Sequence, residues 1–186
     1  QLAPDHLQRA ADGAAAGDAG LYDLDVSFYS TVVALDDLAP VIFSEIMPDP
    51  VGNRYRCQWF ELYNPTGSVL NLEGATIGQD SGGFVIDAPL VVADGEWLVF
   101  GTTGESTLNC GLPYVDWLYD TFDLVRDATD TLTVHDGNGD LVDELTYDPA
   151  WPFGVGDAME LCTNHLTAAE NDDATNWQTT TAPAYS

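Results

Sequence analysis

The stretch Trp59-Phe60-Glu61-Leu62-Tyr63-Asn64-Pro65 decides the fold of this chain. Aromatic and branched residues alternate in it with a period of two, which is typical of a β-strand. The alternation gives the strand two faces, one carrying Trp59, Glu61 and Tyr63 and the other carrying the residues between them. The sequence 65–67, Pro-Thr-Gly, then ends the strand, because proline cannot donate to a β-ladder and glycine tolerates a positive φ.

Further short strands, separated by turn residues, follow and precede this one. The alternation and the turns between the runs predict strands at 41–46, 69–77 (as one or two strands), 84–86, 96–100, part of 116–122, 131–135 and 141–147. The last two form a hairpin around the turn Asp-Gly-Asn-Gly-Asp at 136–140. Short strands at nearly regular spacing predict an all-β fold built as an antiparallel β-sandwich.

The composition is strongly acidic, with 31 Asp and Glu residues against four basic ones and a formal net charge of −27 over 186 residues. All four basic residues are arginine, and lysine is absent. Such a charge disfavours binding to nucleic acid or to anionic lipid. It is typical of a soluble protein or a salty habitat, and less often of a surface that collects Ca²⁺.

Other features of the sequence favour an extracellular or cell-surface location. No apolar run approaches the roughly 20 residues that a membrane helix needs, so no membrane insertion is expected. The chain begins at Gln1 without an initiator methionine, which is the start that a removed secretory signal leaves. Three cysteines allow one disulfide. We predict a bridge between Cys110 and Cys162, with Cys57 buried, free or linked to another chain.

Residues 21–35 form an amphipathic strand in the sequence pattern. Their apolar positions Leu24, Val26, Phe28 and Val32 fall on one side, and polar residues fall on the other. Two alternatives remain open for this segment. It adds to the sandwich of a neighbouring subunit, with these four residues as the subunit contacts, or it pairs with its own domain as an extra edge strand.

A resemblance to a known family rests on an ordered set of motifs. Residues 41 to about 178 resemble a lamin tail domain, the immunoglobulin-like module of nuclear lamins that also occurs in secreted bacterial proteins. The resemblance is carried, in chain order, by 44–48, 59–65, 72–75, 95–100, 132–147, 156–161 and Asn176-Trp177. It implies an immunoglobulin-like antiparallel β-sandwich with an interaction or scaffolding role, and it carries over no catalytic residue. Residues 1–40 are then an N-terminal extension, and 41–186 are the sandwich with its C-terminal tail.

The residues that could bind a metal ion either have a structural role or lack the spacing that a metal site needs. The turn at 136–140 offers alternating oxygen ligands, but the twelfth position of a calcium loop starting at Asp136 is Tyr147 and not glutamate. His6, His135 and His165 lack ligand spacing, and no paired cysteine motif for zinc is present. We therefore expect no cofactor, with Ca²⁺ as a weak alternative.

Glu45 and Glu61 lie in predicted strands and form a candidate carboxylate pair for acid–base chemistry. We interpret them instead as groups that satisfy loop amides from within a sandwich. The sequence also lacks a nucleophile elbow and a phosphate-binding loop, so we expect a non-enzyme. Three function classes are compatible with the sequence: a self-assembling extracellular subunit that forms a homo-oligomer or homopolymer, a secreted binding or adhesion module of a larger protein, and, as the weakest, an enzyme with an unrecognised site.

Overall fold

A computed structural model of the chain describes residues 32–34, 41–79 and 82–181. Most of the regular structure in these ranges is β-strand, accompanied by a short helix α1 and one 3₁₀ turn. The strands are β1 Val32–Ala34, β2 Ile42–Met47, β3 Trp59–Tyr63, β4 Val69–Asn71, β5 Thr76–Gln79, β6 Gly82–Val85, β7 Val91–Val92, β8 Trp97–Gly101, β9 Trp117–Leu118, β10 Asp130–His135, β11 Leu141–Tyr147, β12 Asp157–Leu161 and β13 Trp177–Thr181. Helix α1 is Arg54–Cys57, and the 3₁₀ turn is Ala174–Asn176.

The described strands form three sheets. The largest has six strands in the order β13-β12-β2-β3-β8-β9, the second has four in the order β11-β10-β5-β6, and the third is β1-β4-β7. Neighbours are antiparallel except for β8 with β9 and β1 with β4, which are parallel. The predicted fold class, an all-β antiparallel sandwich, is therefore confirmed. No helix in the described part is long and apolar enough to cross a bilayer.

Strand β3 lies in the middle of the six-stranded sheet, between β2 and β8. The side chains of Phe60 and Leu62 point into the main core and are at most 1% exposed. The Phe60 ring packs on the rings of Phe100, at a centroid distance of 4.8 Å, and Tyr119, at 5.4 Å. The opposite face of the same strand is buried as well, since Trp59 belongs to a second, smaller apolar cluster. We call this face of the sheet its outer face.

Asn64 fixes the end of β3 more firmly than the turn chemistry of proline and glycine predicts. Its side chain is fully buried, and its Nδ2 donates to the carbonyl groups of Ser68 at 2.8 Å and Ala93 at 3.0 Å. Its Oδ1 accepts the backbone N–H of Thr66 at 3.0 Å. Because one amide joins the turn after β3 to the turn before β8, the two connections are held together.

Candidate functional site

The first candidate surface is the edge of β4, where β1 enters the fold. β1 runs parallel to β4, with Val32 opposite Val69 and Ala34 opposite Asn71. The other edge of β4 pairs with β7. The end of the predicted strand 21–35 thus lies on an edge of its own chain in the structure of one subunit.

The predicted subunit contacts fall largely beyond the described part of the chain. Leu24, Val26 and Phe28 lie outside the described residues, and Val32 lies in β1. The burial of these four residues against a neighbour stays a prediction. Leu70 at the centre of β4 is fully buried in the core. The strand that receives β1 is therefore anchored, and its edge offers main-chain groups in a fixed register.

The disulfide joins Cys57 to Cys110, with their Cα atoms 5.4 Å apart. The predicted bridge between Cys110 and Cys162 is wrong, and Cys162 has a free thiol. The physical reason lies in the loop after β8, which doubles back across the outer face and brings Cys110 over the end of α1. Cys162 instead follows β12, where its backbone N–H donates to the carbonyl of Asn176. The spacing of the cysteines along the sequence does not show that this loop folds back over α1.

The same loop covers one end of the outer face. Leu112 is 2% exposed and belongs to the apolar cluster of Met47 and Trp59. Further along, Asp116 accepts the N–H of Val99 through Oδ2 at 2.8 Å and donates its own N–H to the Val99 carbonyl at 2.8 Å. A cavity of about 350 Å³ remains beside the disulfide, lined by Met47, Pro50, Val51, Cys57, Trp59, Asn109, Cys110, Leu112 and Gly156.

Beside this cluster, three glutamates lie side by side across the outer face, and we call them the acidic row. Glu160 of β12 is opposite Glu45 of β2, and Glu45 is opposite Glu61 of β3. Glu45 is 5% exposed and Glu61 is 9% exposed. The hydroxyl of Ser44 donates to Glu61 Oε1 at 2.7 Å. Glu45 Oε1, by contrast, has no hydrogen-bond partner among the described residues.

Two members of the acidic row, Glu45 and Glu61, have raised pKa values. Burial raises the pKa of Glu45 to about 8, with further contributions from the charges of Glu61 and Glu160. Burial also raises the pKa of Glu61 to about 7, although the hydrogen bond from Ser44 opposes this shift. The expectation that Glu45 satisfies a loop amide is not met at Oε1. Two adjacent buried carboxyl groups with raised pKa values mark the row as a candidate functional feature.

Aromatic side chains flank the row at its β8 end. The rings of Tyr63 and Trp97 are in contact at a centroid distance of 5.1 Å, and Trp97 is 44% exposed. Tyr114, which is half-exposed, comes from the covering loop. Its partial burial raises its pKa, and the charges of Asp116, Glu61 and then Glu96 add to the shift. Accessible aromatic faces therefore stand next to a concentration of carboxylates.

A buried carboxylate that the sequence reading missed joins the two large sheets. Asp143 of β11 is 3% exposed, and its Oδ2 accepts the N–H of Phe43 at 2.9 Å and the side-chain amide of Asn171 at 2.9 Å. Burial raises the pKa of Asp143 to about 7 despite these bonds. One signal was available, because the alternation of β11 places Asp143 on the same inward face as Leu145 and Tyr147.

We predict that Asp143→Ala lowers the free energy of unfolding by about 2–3 kcal/mol, because it leaves the Phe43 N–H buried without an acceptor and the Asn171 amide with only a long hydrogen bond of 3.5 Å to the Phe43 carbonyl. Urea unfolding followed by tryptophan fluorescence measures the change. Asp87→Asn, at an exposed position, is the matched control and should change stability by less than about 0.5 kcal/mol. An Asp143→Ala variant as stable as this control would contradict the bridging role.

The turn after β10 is held by its own backbone. Asp136 Oδ1 accepts the N–H of Asn138 at 2.9 Å and the N–H of Asp140 at 2.8 Å. Desolvation opposes the shift, but these backbone donors bring the pKa of Asp136 below its ordinary value. The side chain therefore serves as a turn acceptor in a β-hairpin, as the turn interpretation predicts.

The two histidines in the described part of the chain lie in different elements, and neither has a second histidine beside it in the sequence. His165 Nδ1 lies 3.1 Å from Glu170 Oε1, His135 ends β10, and His6 lies outside the described residues. Over 41–79 and 82–181, no group of three or more His, Cys, Asp or Glu side chains is placed to hold a metal ion. The expectation of no cofactor stays a prediction.

Comparison with known proteins gives one match. The family model described as Lamin Tail Domain matches residues 37–149, which is more than half of the chain. No curated protein and no solved structure matches the chain. The matched range begins just before β2 and ends just after β11, so it includes β3, two members of the acidic row and the disulfide.

Proposed function

The chain belongs to the lamin tail domain family, and from this premise we propose that it is an extracellular structural subunit that assembles with copies of itself. In this proposal residues 21–35 of one subunit pair with the β4 edge of the next. Lamin tail domains are immunoglobulin-like modules that are typically not catalytic, which agrees with a scaffolding role. That this member is of the secreted bacterial type is part of the proposal.

One observation carries the proposal: the parallel pairing of Val32–Ala34 with Val69–Asn71. A strand that fits an edge of its own chain fits the same edge of an identical neighbour, because the contacts are the same. Whether the strand pairs within its own subunit or with a neighbouring one depends on the linker between the strand and the sandwich and on the concentration of subunits. A strand passed from each subunit to the next in a head-to-tail manner does not close on itself, so it gives a fibre.

The extracellular part of the proposal rests on the disulfide. Cys57 and Cys110 are bonded across 53 residues of sequence. Disulfides persist in oxidising surroundings and are rare in the cytosol. The bond therefore favours a location outside the reducing compartments of the cell, and the net charge of −27 suits a soluble surface there.

A binding or adhesion module is the second candidate function, and the acidic row favours it. Lateral assembly by β1 and β4 gives no role to three aligned glutamates beside exposed aromatic rings. A module that recognises a basic partner would use them. The two functions are compatible, since the row and the β4 edge belong to different sheets.

Truncation tests the first candidate. We predict that residues 38–186 remain folded and monomeric, while the full chain forms species whose size rises with concentration, because only the full chain carries the donated strand. Size-exclusion chromatography with light scattering measures both, and a synthetic peptide of residues 21–35 should bind the truncated domain.

Two variants sharpen this test. Phe28→Asp places a charge on the predicted apolar side and should abolish assembly, whereas Tyr29→Asp, on the polar side, should preserve it. A Phe28→Asp subunit that assembles like the unmodified chain would refute strand donation. A truncated domain that is monomeric but much less stable would favour pairing within one chain.

A further inference from the structure

We propose that the acidic row is a binding site for a guanidinium group, supplied by an arginine of a basic partner protein. The guanidinium lies across Glu45 and its two neighbours on the outer face, with the aromatic rings of the β8 end beside it. This inference does not rest on self-assembly, because the β1–β4 edge belongs to another sheet.

The first argument is the hydrogen bonding of Glu45. Glu45 is 5% exposed, and its Oε1 has no partner among the described residues. A buried oxygen without a donor costs free energy, more so when it carries charge. Ser44 satisfies the neighbouring Glu61, so it is at Glu45 that the row has an unused acceptor.

The second argument concerns the shape of the row. Its three carboxylates come from directly opposite positions on adjacent strands, whose Cβ atoms are about 4.5–5.5 Å apart. A metal ion needs its oxygen ligands within about 2.6 Å of one point. The described side chains form no such group. A planar guanidinium, with five donors in a fixed fork, instead matches carboxylates spread along a line.

The third argument is where a cation can come from. The chain has no lysine and four arginines. Arg54 faces Asp123 and Arg126 faces Asp49, so two of the four are already paired. Among the described residues, the charged groups that raise the pKa of Glu45 are both negative, Glu61 on β3 and Glu160 on β12. A net charge of −27 attracts a basic partner and repels an acidic one.

The side chains at the two ends of the row are more exposed than Glu45 at its centre. Glu160 is half-buried, and its Oε2 accepts the exposed Gln178 amide of β13 at 3.3 Å. At the other end, Tyr114 is 50% exposed and Trp97 is 44% exposed. An arginine stacks readily on such rings while its donors reach carboxylates. The carboxylates of the row therefore lie beside exposed aromatic rings.

Protons compete with the guanidinium for the same oxygens. Glu45 and Glu61 bind protons near neutral pH because burial raises the pKa of each; the charge of Glu160 adds to both shifts, and that of Asp116 adds to the shift of Glu61. Binding that requires an ionised glutamate strengthens by about tenfold per pH unit below its pKa for each proton released. Attraction to ordinary surface carboxylates does not change between pH 6 and pH 9, because these are already ionised.

The test uses fluorescence anisotropy with a fluorescein-labelled octa-arginine peptide and the full chain, in NaCl at about 0.3 M to suppress long-range attraction. We expect the affinity to rise at least tenfold from pH 6 to pH 9. Glu45→Gln should weaken binding at least tenfold at pH 9 and flatten the pH dependence. Glu73→Gln removes the same charge at an exposed site in the turn between β4 and β5, and it should leave binding within about twofold.

Glu160→Gln, at a half-buried position, repeats the test at the end of the row, and near-ultraviolet circular dichroism checks that each variant is folded. Equal weakening by Glu45→Gln and Glu73→Gln would overturn the proposal, because the peptide would then be responding to net charge alone. Equal affinities at pH 6 and pH 9 would overturn it as well. An octa-lysine peptide that binds as tightly as octa-arginine would contradict the guanidinium geometry.

Discussion

The free energy of unfolding is expected to be largest near pH 4 and to fall by several kcal/mol by pH 9. Three buried carboxyl groups are responsible: Glu45, Glu61 and Asp143, with folded-state pKa values of about 8, 7 and 7. Burial is the largest cause of each shift. The unfolded chain restores ordinary values near 4, so the folded state holds protons that the unfolded state releases.

The sign follows from proton linkage. A group whose pKa is higher in the folded state contributes its full stability below the unfolded pKa and loses it as the pH rises through the folded pKa. The window here runs from about pH 4 to pH 8, the interval between the unfolded and folded values. At 1.36 kcal/mol per unit, Glu45 alone would account for on the order of 5 kcal/mol. The combined loss is smaller than the sum because Glu45 and Glu61 titrate together.

Below about pH 4 the trend reverses. Thr167, through its hydroxyl, and then His165 lower the pKa of Glu170, and the backbone of Thr175 lowers that of Asp173. Groups with lowered values contribute stability that is lost on acidification.

Urea unfolding at half-unit steps from pH 4 to pH 9 measures the profile. Glu45→Gln should be more stable than the unmodified chain at pH 9 and should match it near pH 4, because the amide cannot ionise. Glu73→Gln, at an exposed position, should follow the unmodified profile throughout. A stability that is constant or rises from pH 5 to pH 9 would contradict the assigned burial of these groups.

Removal of the disulfide is expected to have the other large effect. We predict that Cys57→Ala with Cys110→Ala lowers the free energy of unfolding by about 4 kcal/mol, the value for a closed loop of 53 residues. The melting temperature should then fall by about 8–16 °C in a chain of this length. Differential scanning calorimetry measures the change, and a reducing agent should bring the unmodified protein to the same value.

Cys162→Ala is the matched control for the disulfide. Its thiol is free and half-buried, so the variant should lose less than about 1 kcal/mol and stay sensitive to reductant. If instead Cys162→Ala destabilised the protein as much as the double variant, the bridge would involve Cys162.

The sequence predicts the framework well, because period-two alternation is a local signal. Strand β3 and the hairpin of β10 and β11 occur where the alternation places them. The run 69–77 resolves into β4 and β5, separated by a turn in which Gly74 has a φ of 91°. A side chain with a β-carbon is disfavoured there, so a glycine inside an apolar run marked the break.

Features that depend on distant parts of the chain could not be predicted from spacing. The disulfide requires the loop after β8 to return over α1, and no local pattern states this. The row formed by Glu160, Glu45 and Glu61 requires the register of three strands, and one of them, β12, is far from the other two in sequence. The alternation placed Glu61 on the face opposite Phe60, but only the sheet order shows which carboxylates are its neighbours.

The amphipathic segment 21–35 shows the same limit at the level of subunits. Its alternation predicts a strand with one buried face, and backbone pairing at Val32–Ala34 agrees with a strand at its end. An edge accepts a donor from its own chain or from another with the same hydrogen bonds. The sequence pattern alone therefore predicts that the segment pairs as a strand, but it does not predict whether the segment pairs with its own subunit or with a neighbouring one.

The most direct test of the central claim, strand donation between subunits, is a cysteine cross-link at the β1–β4 register. Val32 and Val69 are opposite each other, so Val32→Cys with Val69→Cys places two thiols on paired positions. Cys162→Ala in the same chain removes the free thiol. After oxidation at assembly concentrations, electrophoresis without reductant should show a ladder of covalent multimers that reductant collapses to one band. A single monomer band with an internal cross-link at every concentration would contradict donation and assign β1 to its own subunit.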